Sequence, residues 1–261
     1  MPLGKEILLE LVGIKFKYPS EKRKDKHEWL LNVDYFSIEK NWAISLLGGN
    51  MIGKSTLIKL ITGTLPPISF NCYVGSIKVD GIEYKLPVNP LKMKKLGIVA
   101  AHQSDQMFPE LSIWENIELG CPYFRVNNSL KKSKRDIVVD KLKKFELLNS
   151  ISIDSPLGEL SGGAIAIIKL LRSTIWNYKL LILDETTANI DNNNRKVCFQ
   201  LLSEMLFENS SVLLISHTNN DHLKFREISN DKYVYKIFTI NNNNVIPETI
   251  DYLANRGVNT V

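Results

Sequence analysis

The chain has 261 residues, 44% of them hydrophobic and 23% charged, the balance of a globular protein able to bury a sizeable core. Its net charge of +5 would tolerate an acidic partner but is spread along the sequence instead of gathered in one block, and its three cysteines, Cys72, Cys121 and Cys198, form neither a metal spacing nor a disulfide framework. The opening MPLGKEILLE carries charges where a secretory signal needs an apolar core, and no apolar run approaches the roughly 20 residues of a membrane span; the expectation is one compact domain with an inserted lobe, in a reducing compartment and outside the bilayer.

In chain order, ILLELVGIKFKYP alternates and is rich in β-branched and aromatic residues, so it reads as a strand ending at Pro19. The polar loop SEKRKDKHE follows, then a second strand, LLNVDYFSIEK, and a short apolar strand, WAISLLGG, that runs into a glycine turn. KSTLIKLITG has helical spacing and stops at Gly63. GSIKVDG reads as a strand with a turn at Asp80-Gly81, and LGIVAAHQ as another strand. From Ser104 to about Leu160 the pattern is helical. It includes a basic stretch, Lys131, Lys132, Lys134, Arg135, Lys141, Lys143 and Lys144, interleaved with Ile137, Val138, Leu142, Phe145 and Leu148. That spacing is an amphipathic helix with a solvated face, and the lack of aromatics between Lys131 and Lys144 argues against nucleic-acid binding while leaving a membrane-surface role open. KLLILDE and SVLLISH then return as buried apolar strands. The runs Asn192 to Asn194 and Asn241 to Asn244 read as loops, the second as a hairpin turn.

Gly48-Gly49-Asn50-Met51-Ile52-Gly53-Lys54-Ser55-Thr56 satisfies G-x-x-x-x-G-K-[ST] between a strand and a helix, the P-loop pattern. Glycines let backbone N–H groups approach a phosphate, and the helix N-terminus adds a favourable dipole. Lys54 is then suited to reach the β- and γ-phosphates of a nucleoside triphosphate, and the Ser55 hydroxyl to ligate Mg²⁺. LLILDE delivers two carboxylates at a strand end, Asp184 for the Mg²⁺ shell and Glu185 to polarise a water. Leu160-Ser161-Gly162-Gly163 precedes a helical run, and His217 closes SVLLISH; alone, each reads as an ordinary turn and an ordinary strand-end histidine.

Taken together and in this order, P-loop, glutamine after a strand, LSGG, Asp-Glu and a later histidine resemble the ABC ATPase cassette across nearly the whole chain. The resemblance implies a P-loop α/β fold of ABC type: a mixed RecA-like core sheet with an N-terminal antiparallel β part, over residues 1–103 and 161–261, and an inserted α-helical subdomain over 104–160. It implies that Tyr18 stacks on adenine and that Gln103 is the Q-loop residue near Mg²⁺ and water. Ser161, Gly162 and Gly163 become the signature that meets the γ-phosphate of a partner subunit, Asp191 the D-loop and His217 the switch. ATP and Mg²⁺ are the implied ligands, and a second copy or homologous cassette together with transmembrane permease subunits the implied partners, on the cytoplasmic face of the membrane. The segment from His102 to Gly120 looks like that of sugar importers.

Departures from the family pattern are Met51 for a glycine, Ala164 for a glutamine and the apolar Ile165 to Ile168 for polar residues. Thr186 also replaces a proline, and Asn41-Trp42 a Gly-Glu pair. Met51 implies a side chain to be accommodated near the phosphates, and the apolar run one that packs against a neighbour. Since Lys54, Asp184, Glu185 and His217 are present, an active ATPase is expected. The competing readings are a single-cassette ATPase working without a membrane partner, as in iron-sulfur assembly, and a binding-only regulatory cassette.

Overall fold

A computed structural model describes residues 6–19, 29–65, 72–102, 105–119, 128–144, 151–175, 178–186, 191–205, 210–216, 218–229 and 233–248. Three strands form early: β1 (Ile7–Phe16), β2 (Leu31–Glu39) and β3 (Trp42–Leu47). Helix α1 (Lys54–Thr62) follows, and Gly63 ends it in the left-handed conformation at φ 73°. Strands β4 (Tyr73–Val79) and β5 (Ile82–Lys85) are joined by Asp80 and Gly81, both at positive φ, a turn whose twist suits a two-residue hairpin. Helix α2 (Pro90–Lys95) was not evident in the sequence: it has six residues, three of them lysine, and its start is set by the Asn89 side chain accepting from the Lys92 N–H.

Strand β6 (Ile98–His102) precedes the helices α3 (Ile113–Glu118) and α4 (Asn128–Lys144) and a 3₁₀ turn at Leu157–Glu159. On α4, Val138 and Leu142 are buried as the pattern requires, whereas Ile137 faces out; Phe145 and Leu148 lie outside the described residues. Then come α5 (Gly162–Thr174), β7 (Leu180–Asp184), α6 (Asn192–Met205), β8 (Ser211–Ile215), α7 (Asn219–Ser229), β9 (Val234–Asn241) and β10 (Asn244–Glu248). Asn242 and Asn243, at φ 46° and 64°, form the expected hairpin turn.

The loop expected at Asn192 to Asn194 is instead the first turn of α6. Asparagine favours turns, but here the Asp191 carboxylate accepts the N–H groups of Asn193 and Asn194, both at 3.0 Å, and so starts the helix.

Two sheets result. Strands β2-β1-β4-β5 form an antiparallel sheet, and β10-β9-β3-β8-β7-β6 a mixed one in which all pairs but β10 with β9 are parallel. The central strands are apolar on both faces because layers cover both. Leu180 and Ile182 of β7 join a cluster with α1 and the antiparallel sheet, while Leu181 and Leu183 join a second cluster with α3, α5, α6 and α7. Burying a side chain of this size contributes about 1.5–3 kcal/mol, so β7 is anchored from both sides and its last residue is held firmly. Ile167 and Ile168 are in the second cluster, so the apolar run after Gly163 packs within its own chain, with Ile165 partly buried against it.

Candidate functional site

The carboxyl ends of β3, β6 and β7 converge on one side of the parallel sheet, where ligands of such sheets bind. From β3 the chain turns through Gly48 at φ 145°, Met51 at 63° and Gly53 at 103° into α1. Gly53 occupies the cap position, and no side chain accepts from the first turn of α1. Helix N–H groups left without a capping oxygen are suited to an anion. Lys54, only 6% exposed, folds back and donates to the Gly48 and Gly49 carbonyls at 2.8 and 2.7 Å. Met51 takes the left-handed backbone a glycine would take and is 97% exposed, so its size is accommodated without burial at the edge of the cavity described next.

A cavity of about 320 Å³ is lined by Tyr18, Asn50, Met51, Lys54, Thr56 and Glu185, among others. The Tyr18 hydroxyl lies 3.3 Å from Thr56 Oγ1, and the ring meets Phe16 edge to face at 4.9 Å. A neighbouring cavity of about 440 Å³ shares Ser55 and Glu185 and adds His102, Asp105 and Asp184. Glu185 sits at φ 53°, a conformation costly for a side-chain-bearing residue, held by its N–H donating to Ile215 O at 3.0 Å.

Asp184 is 7% exposed. Its Oδ2 accepts from His102 Nδ1 at 3.1 Å, and its Oδ1 is buried with no hydrogen-bond partner. A bare buried carboxylate oxygen across from a serine hydroxyl is a donor set suited to a hard cation. Among the described residues no group of three His, Cys, Asp or Glu side chains could hold a metal by itself. Mg²⁺ takes one or two protein oxygens and completes its shell with phosphates and water. Gln103 and His217 lie outside the described residues.

Around position 217 the neighbours are defined. His222, 1% exposed, uses Nε2 on the Ser216 carbonyl at 3.0 Å and Nδ1 on Ser45 Oγ at 2.9 Å. The carbonyl can only accept, so Nε2 carries the hydrogen. Ser216 Oγ donates to Asp221 Oδ2 at 2.7 Å, and Asp221 Oδ1 faces Arg195 Nε of α6 at 3.6 Å. Neither Asp221 nor His222 had a sequence signal, and the helix α7 that carries both was not read from the sequence.

Ser161, Gly162 and Gly163 line neither cavity. Ser161 caps α5, its hydroxyl accepting from the Ala164 N–H at 3.3 Å. At Gly163 a Cβ would collide with Asn194 Nδ2, which itself donates to Asp191. Asp191 thus spends its carboxylate on the start of α6, and the Asn194 bonds hold that carboxyl below its usual range. The turn after His102 is gripped from α5. Arg172 donates to the Gln106 carbonyl at 2.8 Å and lies 3.7 Å from Asp105, and burial pushes its guanidinium below its ordinary value while Asp105 opposes that.

Residues 31–188 match the family model described as "ABC transporter". The chain is 31% identical over 83% of its length to the ribose import ATP-binding protein RbsA of Caldanaerobacter subterraneus subsp. tengcongensis. It is 32% identical over 84% of its length to the L-arabinose transport ATP-binding protein AraG of Geobacillus stearothermophilus. It spans 41% and 40% of those relatives' own lengths. Among solved structures, a nucleotide-free ATP-binding cassette from an ABC transporter superposes with a TM-score of 0.70 at 20% identity, covering 96% of this chain and 94% of that one. A bacterial Atm1-family ABC exporter with ATP bound also gives 0.70, at 16% identity, with 97% and 41% covered. At these identities the structures speak for the fold.

Proposed function

This chain belongs to the ABC transporter family as its nucleotide-binding ATPase cassette, and we propose that it binds Mg-ATP, pairs head to tail with a second cassette and powers sugar import through transmembrane permease subunits. The observation that carries this reading is the split of the machinery: Lys54, Ser55, Asp184 and Glu185 line two neighbouring cavities that share Ser55 and Glu185, whereas Ser161 to Gly163 line neither. A signature that does not reach its own P-loop is suited to a neighbour's.

In this reading the first turn of α1 donates to the phosphates, and Lys54 exchanges its carbonyl partners for a phosphate oxygen. Tyr18 offers its exposed ring to adenine. Ser55, Asp184 and Gln103 are the residues that would hold Mg²⁺, which when bound neutralises charge on the phosphate oxygens. Glu185 orients a water and takes its proton as the water oxygen bonds to the γ-phosphorus; the bridging bond breaks and its electron pair leaves on ADP. His217 senses the γ-phosphate, with Asp221 and His222 fixing the preceding residue. Ser161, Gly162 and Gly163 of a second copy or homologous cassette close over the same phosphate, so the pair persists only while that phosphate does.

The permease part of the reading is supported by a cleft of about 420 Å³ beside β6, lined by Leu91, Lys94, Phe108, Leu119 and Arg172. Leu91, Phe108 and Leu119 are exposed. No helix among the described residues is long and apolar enough to cross a membrane, so a span is assigned to other chains or segments. The sugar class comes from the relatives named for ribose and arabinose.

ATP turnover measured against protein concentration tests the proposal. A composite site gives specific activity that rises with concentration, and Glu185→Gln traps an ATP-bound dimer on size exclusion. Specific activity independent of concentration, with no trapped dimer, contradicts it, and binding without turnover at any concentration favours a regulatory cassette.

A further inference from the structure

We propose that His102 is a positioning residue for the metal carboxylate: its imidazole fixes Asp184 so that Oδ1 is left for Mg²⁺. This rests on the reading of Asp184 as a Mg²⁺ ligand.

The sheet register brings the two together. His102 ends β6 and pairs directly with Asp184 at the end of β7. Because a carboxylate only accepts, Nδ1 carries the hydrogen of the 3.1 Å bond to Oδ2. That bond leaves Oδ1 as the buried atom without a partner. A half-satisfied carboxylate in so enclosed a place is unfavourable on its own and becomes favourable when a cation takes the second oxygen. Without the imidazole, rotation about the Asp184 side chain would exchange the two oxygens and scatter the ligand geometry.

His102 is itself held still. Its N–H donates to Asp105 Oδ2 at 2.9 Å, and the Asp105 N–H returns a bond to the His102 carbonyl at 3.1 Å. Arg172 of α5 braces the same turn through Asp105 and the Gln106 carbonyl. These bonds hold the backbone that carries the imidazole, and the ring's own bond to Asp184 Oδ2 sets its direction. Outer hydrogen-bond partners of metal ligands commonly govern metal affinity in this way, by about 10- to 100-fold.

The test is nucleotide affinity with and without metal. A fluorescent ATP analogue is titrated into the whole chain, its His102→Phe variant and its His102→Gln variant, in Mg²⁺ and in EDTA, with thermal unfolding run on the same samples. The wild type is expected to gain affinity from Mg²⁺, and H102F to lose about 10- to 100-fold of that gain while its affinity in EDTA is unchanged. H102Q, which retains an N–H donor, recovers part of it. If H102F does not fold, His102→Ala takes its place. Equal metal gains in wild type and H102F, or a loss as large in EDTA as in Mg²⁺, overturn the role of His102. Mn²⁺ bound to the wild type with a directly coordinated imidazole nitrogen in pulsed electron paramagnetic resonance overturns it too, by making His102 a ligand. A wild type that gains nothing from Mg²⁺ is a different failure, that of the metal site itself.

Discussion

Two helices of this chain begin at glycine-containing turns, and they begin differently. Helix α1 has Gly53 at its cap with no side-chain oxygen on its N–H groups, a lysine as its first residue, and Asp184 and Glu185 facing the same cleft. Helix α5 has Ser161 at its cap, its hydroxyl on the Ala164 N–H, no acidic residue in its first turn, and Gly163 pressed against Asn194. In the proposed reading the first start has the charge, the metal oxygen and the base that a phosphoryl reaction requires. The second has only neutral donors and a tight fit, so it can complete a site and cannot run one.

The largest expected effect lies at the first start. Lys54→Ala removes the cation nearest the phosphates and is expected to lower turnover by about 10²- to 10³-fold, the scale of losing a preorganised charge-stabilising donor. ATPase assays against a thermal-unfolding control check it; a variant within threefold of wild type would dissolve the distinction between the two helix starts.

Gly163→Ala addresses the second start. The added Cβ meets an Asn194 amide tied to Asp191, and overpacking of this kind costs about 1–3 kcal/mol, equivalent to about 5- to 160-fold. Turnover is expected to fall about tenfold from this displacement, with binding of nucleotide to the single chain unchanged. If binding falls as much as turnover, the signature end belongs to the chain's own site.

How far the sequence discloses these two starts differs for a physical reason. The P-loop, β7 and the Asn242-Asn243 turn depend on neighbours a few residues apart, so spacing reveals them. The first turn of α6 escapes because three asparagines argue for a loop, and only the Asp191 cap reverses that. The pairing of His102 with Asp184 joins residues 82 apart through strand register, which no local pattern encodes. Strand β9 was likewise silent, its pairing with β3 supplied by tertiary context. Whether Ser161 to Gly163 face a partner is a property of two chains, and a single sequence carries it only through resemblance.

A smaller effect concerns what backs the second start. Cys198 of α6 is buried and its thiol is pushed up to about 12 from 9.0, mainly by desolvation. The folded chain keeps a proton that the unfolded chain releases above 9.0, so this group's stabilising contribution is complete below that pH and is lost as pH rises through about 12. Denaturant unfolding from pH 8 upward should show the decline beginning near 9, and Cys198→Ala should make it shallower. An identical slope in the variant would remove Cys198 from the explanation.

The smallest effect is expected at Met51→Gly. Relief of the left-handed backbone, about 1–2 kcal/mol, is offset by the added freedom of glycine in the unfolded chain, about 0.5–1 kcal/mol. Stability should shift by no more than about 1.5 kcal/mol, and nucleotide affinity should remain close to wild type, because the side chain is almost fully exposed. A large gain in affinity would mean that the methionine obstructs the first start after all.

The central claim, that one chain's P-loop is completed by another chain's signature, is tested most directly by mixing two inactive variants. Lys54→Ala keeps a sound signature and Ser161→Arg keeps a sound P-loop, so a mixed pair rebuilds one intact site of two. Equal mixing makes half of the pairs mixed, and the account predicts recovery of roughly a quarter of wild-type turnover. A mixture as inactive as its separate components, under conditions where the wild type turns over, would contradict it.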